Sequence, residues 1–117
     1  MRSRSVLVVD DDADSRDLVA EFLSDAGFEV QVAADGVDAI AILEREAPPS
    51  VIVTDLMMPN LGGCELIAYV RAAPQLRAIP VAVMSGTPDL APVGTRVFTK
   101  PLQIGALLLF VCDAIAD

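Results

Sequence analysis

Val6–Asp12 reads VLVVDDD, an apolar run followed at once by three aspartates, and Val51–Asp55 repeats the design as VIVTD. Near-continuous apolar runs of this length suit strands covered on both faces. Similar runs lie at Phe28–Val32 and Val81–Met84, with a weaker fifth at Val97–Thr99. Between the first two, Leu18, Val19, Phe22, Leu23 and Ala26 recur at helical spacing and predict a helix, with Asp14 as its cap and Gly27 as its stop. Asp35 and Gly36 open a second helix, carried by Val37, Ile40, Ala41 and Leu43 and closed by Pro48 and Pro49. Leu66, Ile67 and Val70 mark a third that ends near Pro74. Strand and helix alternate over short connections, the pattern of an α/β fold with a parallel sheet and helices on both faces.

In such a sheet, ligands sit outside the carboxyl ends of the strands, where the strand order reverses. Asp10, Asp11 and Asp12 follow the first strand and Asp55 follows the third, so up to four carboxylates converge on one edge. Two carboxylates about 4 Å apart repel by roughly 4 kcal/mol at an effective dielectric near 20, so the cluster must protonate or hold a cation. A hard divalent ion fits oxygen ligands, and Mg²⁺ in particular combines one or two carboxylates with water and phosphate oxygens. A carboxylate can itself attack phosphorus, which makes Asp55 a candidate nucleophile. The plainer role of an aspartate after a strand is to cap the next helix, and Asp12 or Asp14 suits it. Ser85 at the end of the fourth strand and Lys100, before Pro101, at the end of the fifth could both donate to phosphate oxygens at the same edge. Taken singly, they read as an ordinary loop serine and an ordinary surface lysine.

The remaining composition narrows the function classes. A chain of 117 residues, 54% hydrophobic, is enough for one core, and no repeat, low-complexity tract or linker divides it, so residues 1–117 are expected to form a single domain. Seventeen acidic against eight basic residues leave a net charge of −9, which argues against direct nucleic-acid or anionic-lipid binding. Cys64 and Cys112 have neither CxxC spacing nor any histidine to share a zinc ion, and read as free thiols of a reducing cytosol. No signal-peptide pattern follows Met1, and the apolar stretch from Leu102 to Val111 is too short to span a bilayer. A cytoplasmic protein without a membrane segment is expected.

Four segments together, VLVVDDD at Val6–Asp12, VTDLMMPNLGG at Val53–Gly63, VMSG at Val83–Gly86 and TKP at Thr99–Pro101, resemble the receiver domains of two-component response regulators, of which the bacterial chemotaxis regulator is the best known. The resemblance covers essentially the whole chain, and the DLMMP segment is its most specific part. It implies a flavodoxin-like, doubly wound, five-stranded parallel sheet of order 2-1-3-4-5. It further implies that Asp55 receives a phosphoryl group from a histidine kinase or histidine phosphotransfer protein. In that scheme Mg²⁺ is held by Asp10, Asp11, Asp55 and the backbone carbonyl of Met57. Ser85 matches the family's hydroxyl that bonds the phosphoryl group, Lys100 its phosphate-pairing lysine, and Pro101 the cis peptide that aims it. The phosphate adds about −1.5 to −2 charges, and drawing Ser85 inward is a local response to that charge.

The sequence departs from the family in its last third. Only 14 residues separate Ser85 from Lys100, roughly two helical turns fewer than a helix plus the fifth strand would need. Pro88, Pro92 and Gly94 interrupt that stretch, although Thr87 followed by Pro88 supports one turn. The helix joining the fourth and fifth strands is therefore expected to be missing or reduced to a turn, leaving one face of the sheet edge without cover. The final segment, with Leu102, Ile104, Leu107, Leu108, Leu109, Phe110, Val111 and Ile115, predicts a helix apolar nearly all round. Such a helix is either buried on more than one side, deep over the uncovered sheet, or offers a surface to a second copy or another partner. The family's aromatic switch position, three before the lysine, holds Val97, with Phe98 beside it.

Two other function classes compete. A pseudo-receiver would keep the fold and signal by binding alone, without phosphate; the joint presence of Asp55, Ser85 and Lys100 favours the phosphorylated switch. A haloacid-dehalogenase-type phosphohydrolase also uses an aspartate after a strand, but resembles DxD there, whereas Leu56 and Met57 follow Asp55. The expectation is a regulator that assists only its own phosphorylation and dephosphorylation, not an enzyme for external substrates. With no output domain visible, it acts through a downstream protein or belongs to something longer.

Overall fold

The computed structural model describes residues 4–99 and 104–115. The chain runs β1 (Ser5–Val9), α1 (Ala13–Asp25), β2 (Glu29–Ala33), α2 (Gly36–Arg45), β3 (Val51–Asp55), α3 (Gly63–Ala72), β4 (Val81–Ser85), a single 3-10 turn (Pro88–Leu90), β5 (Arg96–Thr99) and α4 (Ile104–Ile115). All strand pairs are parallel and the order is β2-β1-β3-β4-β5, the flavodoxin-like arrangement expected. Neighbouring β1 and β3 bring Val9 opposite Thr54, which puts Asp10 and Asp55 at one sheet edge.

Alternation along the strands divides the core. Val6, Val8, Val51, Val53, Ala82, Met84 and Phe98 face one layer and are covered by Val19 and Leu23 of α1 and by Leu107, Val111 and Ile115 of α4. Leu7, Val9 and Ile52 face the other, against Ala39, Ile42 and Leu43 of α2 and Leu66 and Val70 of α3. Each such side chain taken from water contributes about 1.5–3 kcal/mol, which makes the two faces the main source of cohesion.

Local signals place the helix ends, with one correction. Asp12, not Asp14, caps α1: its carboxylate accepts the Asp14 N–H and the Ser15 hydroxyl, because the helix starts two residues earlier than a cap at Asp14 would place it. Gly27 does end the helix, in the left-handed region at φ +98° that a side chain would disfavour. Asp35, expected to open α2 with Gly36, caps it by accepting the Asp38 N–H at 2.9 Å.

The helix between β4 and β5 is reduced to the turn Pro88–Leu90. That segment leans on α3 instead: Arg71 donates to the Val93 carbonyl at 2.7 Å and Cys64 Sγ to the Leu90 carbonyl at 3.4 Å. Val83 and Val97, on the face the helix would have covered, are met by Ile67 of α3 and by Ala91 of the crossover itself. Of the two readings of the final helix, the one that lays it over this uncovered patch is wrong. α4 packs on the opposite face, because Phe98 and Met84, one residue out of phase with Val97 and Val83, are the residues it covers. Nor is α4 buried on several sides: Leu107, Val111 and Ile115 form one buried stripe, while Leu109 is 67% exposed.

Candidate functional site

The carboxyl edge of β1 and β3 gathers Asp10, Asp11 and Asp55 so that one carboxylate oxygen from each lies within 4.8 Å of the others. Asp10 and Asp55 are buried, at 1% and 7% exposure, and Asp11 faces solvent. Asp55 closes β3 as its last residue, one position further into the strand than its apolar run suggested.

Each buried carboxylate is held by the backbone next to it. Asp10 Oδ1 accepts the Asp12 N–H at 3.0 Å, and Asp55 Oδ1 accepts the Leu56 N–H at 2.8 Å. The Asp10 main chain is fixed twice more, its N–H donating to the Ala33 carbonyl at 3.1 Å and its carbonyl accepting from Arg16 at 3.0 Å. Gly63 is required where α3 begins: its N–H donates to the Leu56 carbonyl at 2.8 Å, and a Cβ there would lie 2.9 Å from Leu56 Cα and collide with the Asp55 carbonyl. A bulkier residue would push α3 off the strand end that carries Asp55.

Three carboxylate oxygens converging in a half-buried pocket repel one another unless a cation sits among them. All-oxygen donors, two on rigid strand ends and one on the rim, suit a hard divalent ion such as Mg²⁺ that keeps part of its water shell. The donor set fits that ion. Met57 lies in the loop Leu56–Gly62 at the same edge, with its side chain 65% exposed. Ser85 is the last residue of β4 and is buried; its hydroxyl oxygen accepts the Thr87 N–H at 2.8 Å and lies 3.1 Å from the Thr87 hydroxyl. β5 ends at Thr99, registered beside Ser85, so the chain leaves the sheet at this edge. Lys100 and Pro101 lie outside the described residues.

The sequence reading missed a contact across the rim of this site. Asn60, at φ +68°, donates its side-chain amide to Asp35 Oδ2 at 2.6 Å, and the Gly36 N–H donates to the Leu61 carbonyl at 2.9 Å. The Asp38 N–H and the Asn60 amide hold the Asp35 carboxyl below the usual carboxylate range. Asn is among the few residues that tolerate a left-handed backbone, which was the one available hint. Its partner, 25 positions away, is a matter of tertiary structure.

The family model of the response regulator receiver domain matches residues 6–107. The chain belongs to the response-regulator receiver family. Among curated relatives of this receiver is the sensor histidine kinase TmoS of Ectopseudomonas mendocina, 39% identical over 72% of the chain and 8% of the kinase. The shared stretch spans between 8% and 60% of the curated relatives' own lengths. Among solved structures, the chemotaxis response regulator CheY4 of Vibrio cholerae is 30% identical, with a TM-score of 0.84 over 97% of the receiver and 99% of that chain. A receiver domain of a Pseudomonas aeruginosa sensor histidine kinase, 22% identical, shares the fold at a TM-score of 0.86 over 99% and 100% of the two chains, and has a magnesium ion coordinated in its active-site cleft.

Receiver domains are signalling regulators of two-component systems, and their relatives include parts of histidine kinases. No helix among the described residues is long and apolar enough to cross a membrane.

Proposed function

We propose that residues 1–117 form one receiver domain working as a phosphorelay switch: Asp55 accepts a phosphoryl group from a histidine kinase or histidine phosphotransfer protein, and the changed state is relayed by protein contacts. The observation that carries this reading is the convergence of Asp10, Asp11 and Asp55 within 4.8 Å at the strand ends. A side-chain oxygen of Asp55 forms the new bond to phosphorus while the bond from phosphorus to the donor's imidazole nitrogen breaks, and the imidazole leaves with a proton from solvent. The Leu56 N–H on Asp55 Oδ1 helps to fix the carboxylate plane in which the attack takes place.

Asp10, Asp11, Asp55 and the Met57 carbonyl would hold Mg²⁺, which supplies neutralisation of the charge on the transferring oxygens. Ser85 and Lys100 would donate to the phosphoryl oxygens. The Ser85 oxygen accepts the Thr87 N–H, so its own proton is available to turn toward a phosphoryl oxygen, and that reorientation is the first movement of the switch. The chemistry stays on the domain's own carboxylate, and no external substrate is turned over. The downstream contact is assigned to α4, whose Leu109 points away from the core, either toward a second copy or toward another protein.

Incubation with acetyl phosphate and Mg²⁺, followed by intact mass measurement, tests the assignment. Wild type should gain one phosphoryl group and Asp55→Ala none. No gain in the wild type, or an equal gain in the variant, would overturn it.

A further inference from the structure

The site's rim is closed by a ring of hydrogen bonds, and part of that ring lies outside the groups that touch metal or phosphate. From Asp10, the main-chain N–H reaches Ala33 at the end of β2 at 3.1 Å. The chain then turns into α2, where the Ala34 N–H donates to Asp38 at 3.1 Å and Asp35 caps the helix at 2.9 Å. From Asp35 the ring crosses to Asn60 at 2.6 Å, and from Gly36 to Leu61 at 2.9 Å. It returns through the loop to Leu56, which is tied to Gly63 and to Asp55 Oδ1, both at 2.8 Å. Met57, Met58 and Pro59 thus span two anchors, the Leu56 contacts on one side and the Asn60–Leu61 contacts on the other.

We infer that Asp35 and Asn60 are positioning residues: their hydrogen bond holds the Asp55–Met57 side of the site at a fixed distance from the Asp10–Asp11 side, so that the oxygens meet a divalent cation without further ordering. This rests on the function proposed above. Three features support it physically. The contact is charge-assisted and short, the stronger class of hydrogen bond. Asn60 sits at φ +68°, a turn conformation that Asn tolerates and from which its amide reaches Asp35. Gly36 seats against Leu61 so closely that no side chain fits between α2 and the loop, which keeps the two elements in register. Without the Asp35–Asn60 bond, the loop keeps its Leu56 anchor and the Gly36–Leu61 backbone bond but loses the side-chain tie between them, and binding the cation must then order more of the Met57 backbone.

The test uses two variants that both keep the net charge of −9, so a change in affinity cannot come from added or lost charge. Asn60→Ala removes the bond. The double variant Asp35→Asn with Asn60→Asp reverses its donor and acceptor; Asn caps helices as well as Asp, and Asp tolerates the left-handed backbone. Mg²⁺ affinity is read by NMR titration of backbone amides, with thermal melting in the absence of Mg²⁺ as the measure of a merely structural role. We expect Asn60→Ala to bind Mg²⁺ about tenfold more weakly, the low end of the range for groups supporting metal ligands, and the reversed pair to return to within about twofold of wild type. Wild-type affinity in Asn60→Ala, or a reversed pair as weak as Asn60→Ala, overturns the inference. If the wild type takes up no Mg²⁺, the proposed function fails, and amide exchange then judges the positioning role separately. Faster exchange at Met57 and Met58 in Asn60→Ala, restored by the reversed pair, sustains it, and unchanged exchange overturns it.

Discussion

Replacing Gly36 by alanine separates two opposing effects that the structure puts at one atom. On helix propensity alone, Gly→Ala at a helical position stabilises by up to about 1 kcal/mol, and less at a first residue such as this one. Against that, the new Cβ would lie 2.6 Å from the Leu61 carbonyl oxygen and 3.0 Å from Leu61 Cβ. The first of these is backbone, which cannot swing aside. Relieving the overlap must lengthen the Gly36–Leu61 hydrogen bond, worth about 0.5–1.5 kcal/mol, and shift α2 or the loop, for which overpacking costs of about 1–3 kcal/mol are typical. The net expectation is a loss of about 1–4 kcal/mol, or roughly 3–20 °C in melting temperature for a domain of this size. Circular dichroism melts and urea titrations would measure it, with Gly105→Ala as the control. Nothing lies within 4 Å of a Cβ at Gly105, so the same substitution there should be neutral or stabilising. A Gly36→Ala variant as stable as wild type would refute the claim that close approach, rather than helix-terminal flexibility, is what position 36 requires.

Phe98 should carry much of the attachment of α4: it is 7% exposed, and its ring meets Phe110 edge-on at 5.9 Å and 68°. Phe98→Ala should cost about 3–5 kcal/mol by urea unfolding, and a loss below about 1 kcal/mol would show that α4 is held elsewhere. If the outward face of α4 joins two copies, the mass from light scattering should rise with concentration and Leu109→Glu should abolish the rise; a mass that stays monomeric at every concentration, with or without phosphorylation, removes that role.

The sheet was legible because each strand is a nearly unbroken apolar run, and the acidic site because its aspartates stand at strand ends, where a parallel sheet collects them. Pro88, Pro92 and Gly94 announced the lost helix for local, steric reasons. What could not be read was relative orientation. That α4 covers the Phe98 face rather than the Val97 face depends on the pleat of β5, a strand too short and weak to fix its own phase from sequence. The Asp12 cap was blurred because Asp12 and Asp14 offer the same chemistry two positions apart, and only the exact start of α1 chooses between them. In the sequence Asp35 only opens the second helix and Asn60 is only one residue of the VTDLMMPNLGG segment, and their contact exists only once α2 and the β3–α3 loop are side by side.

The crossover from β4 to β5 uses ten residues, Gly86 to Thr95, close to the lower limit for joining parallel neighbours. Its tolerance to changes in length is therefore lopsided. Added residues only lengthen a loop, at about 0.6 kcal/mol for each doubling. Removing even one or two would pull β5 out of step with β4, and with it the place where the chain leaves the sheet beside Ser85. Divergence at this connection is free to proceed toward a longer arm, while further shortening would reach the acidic site itself.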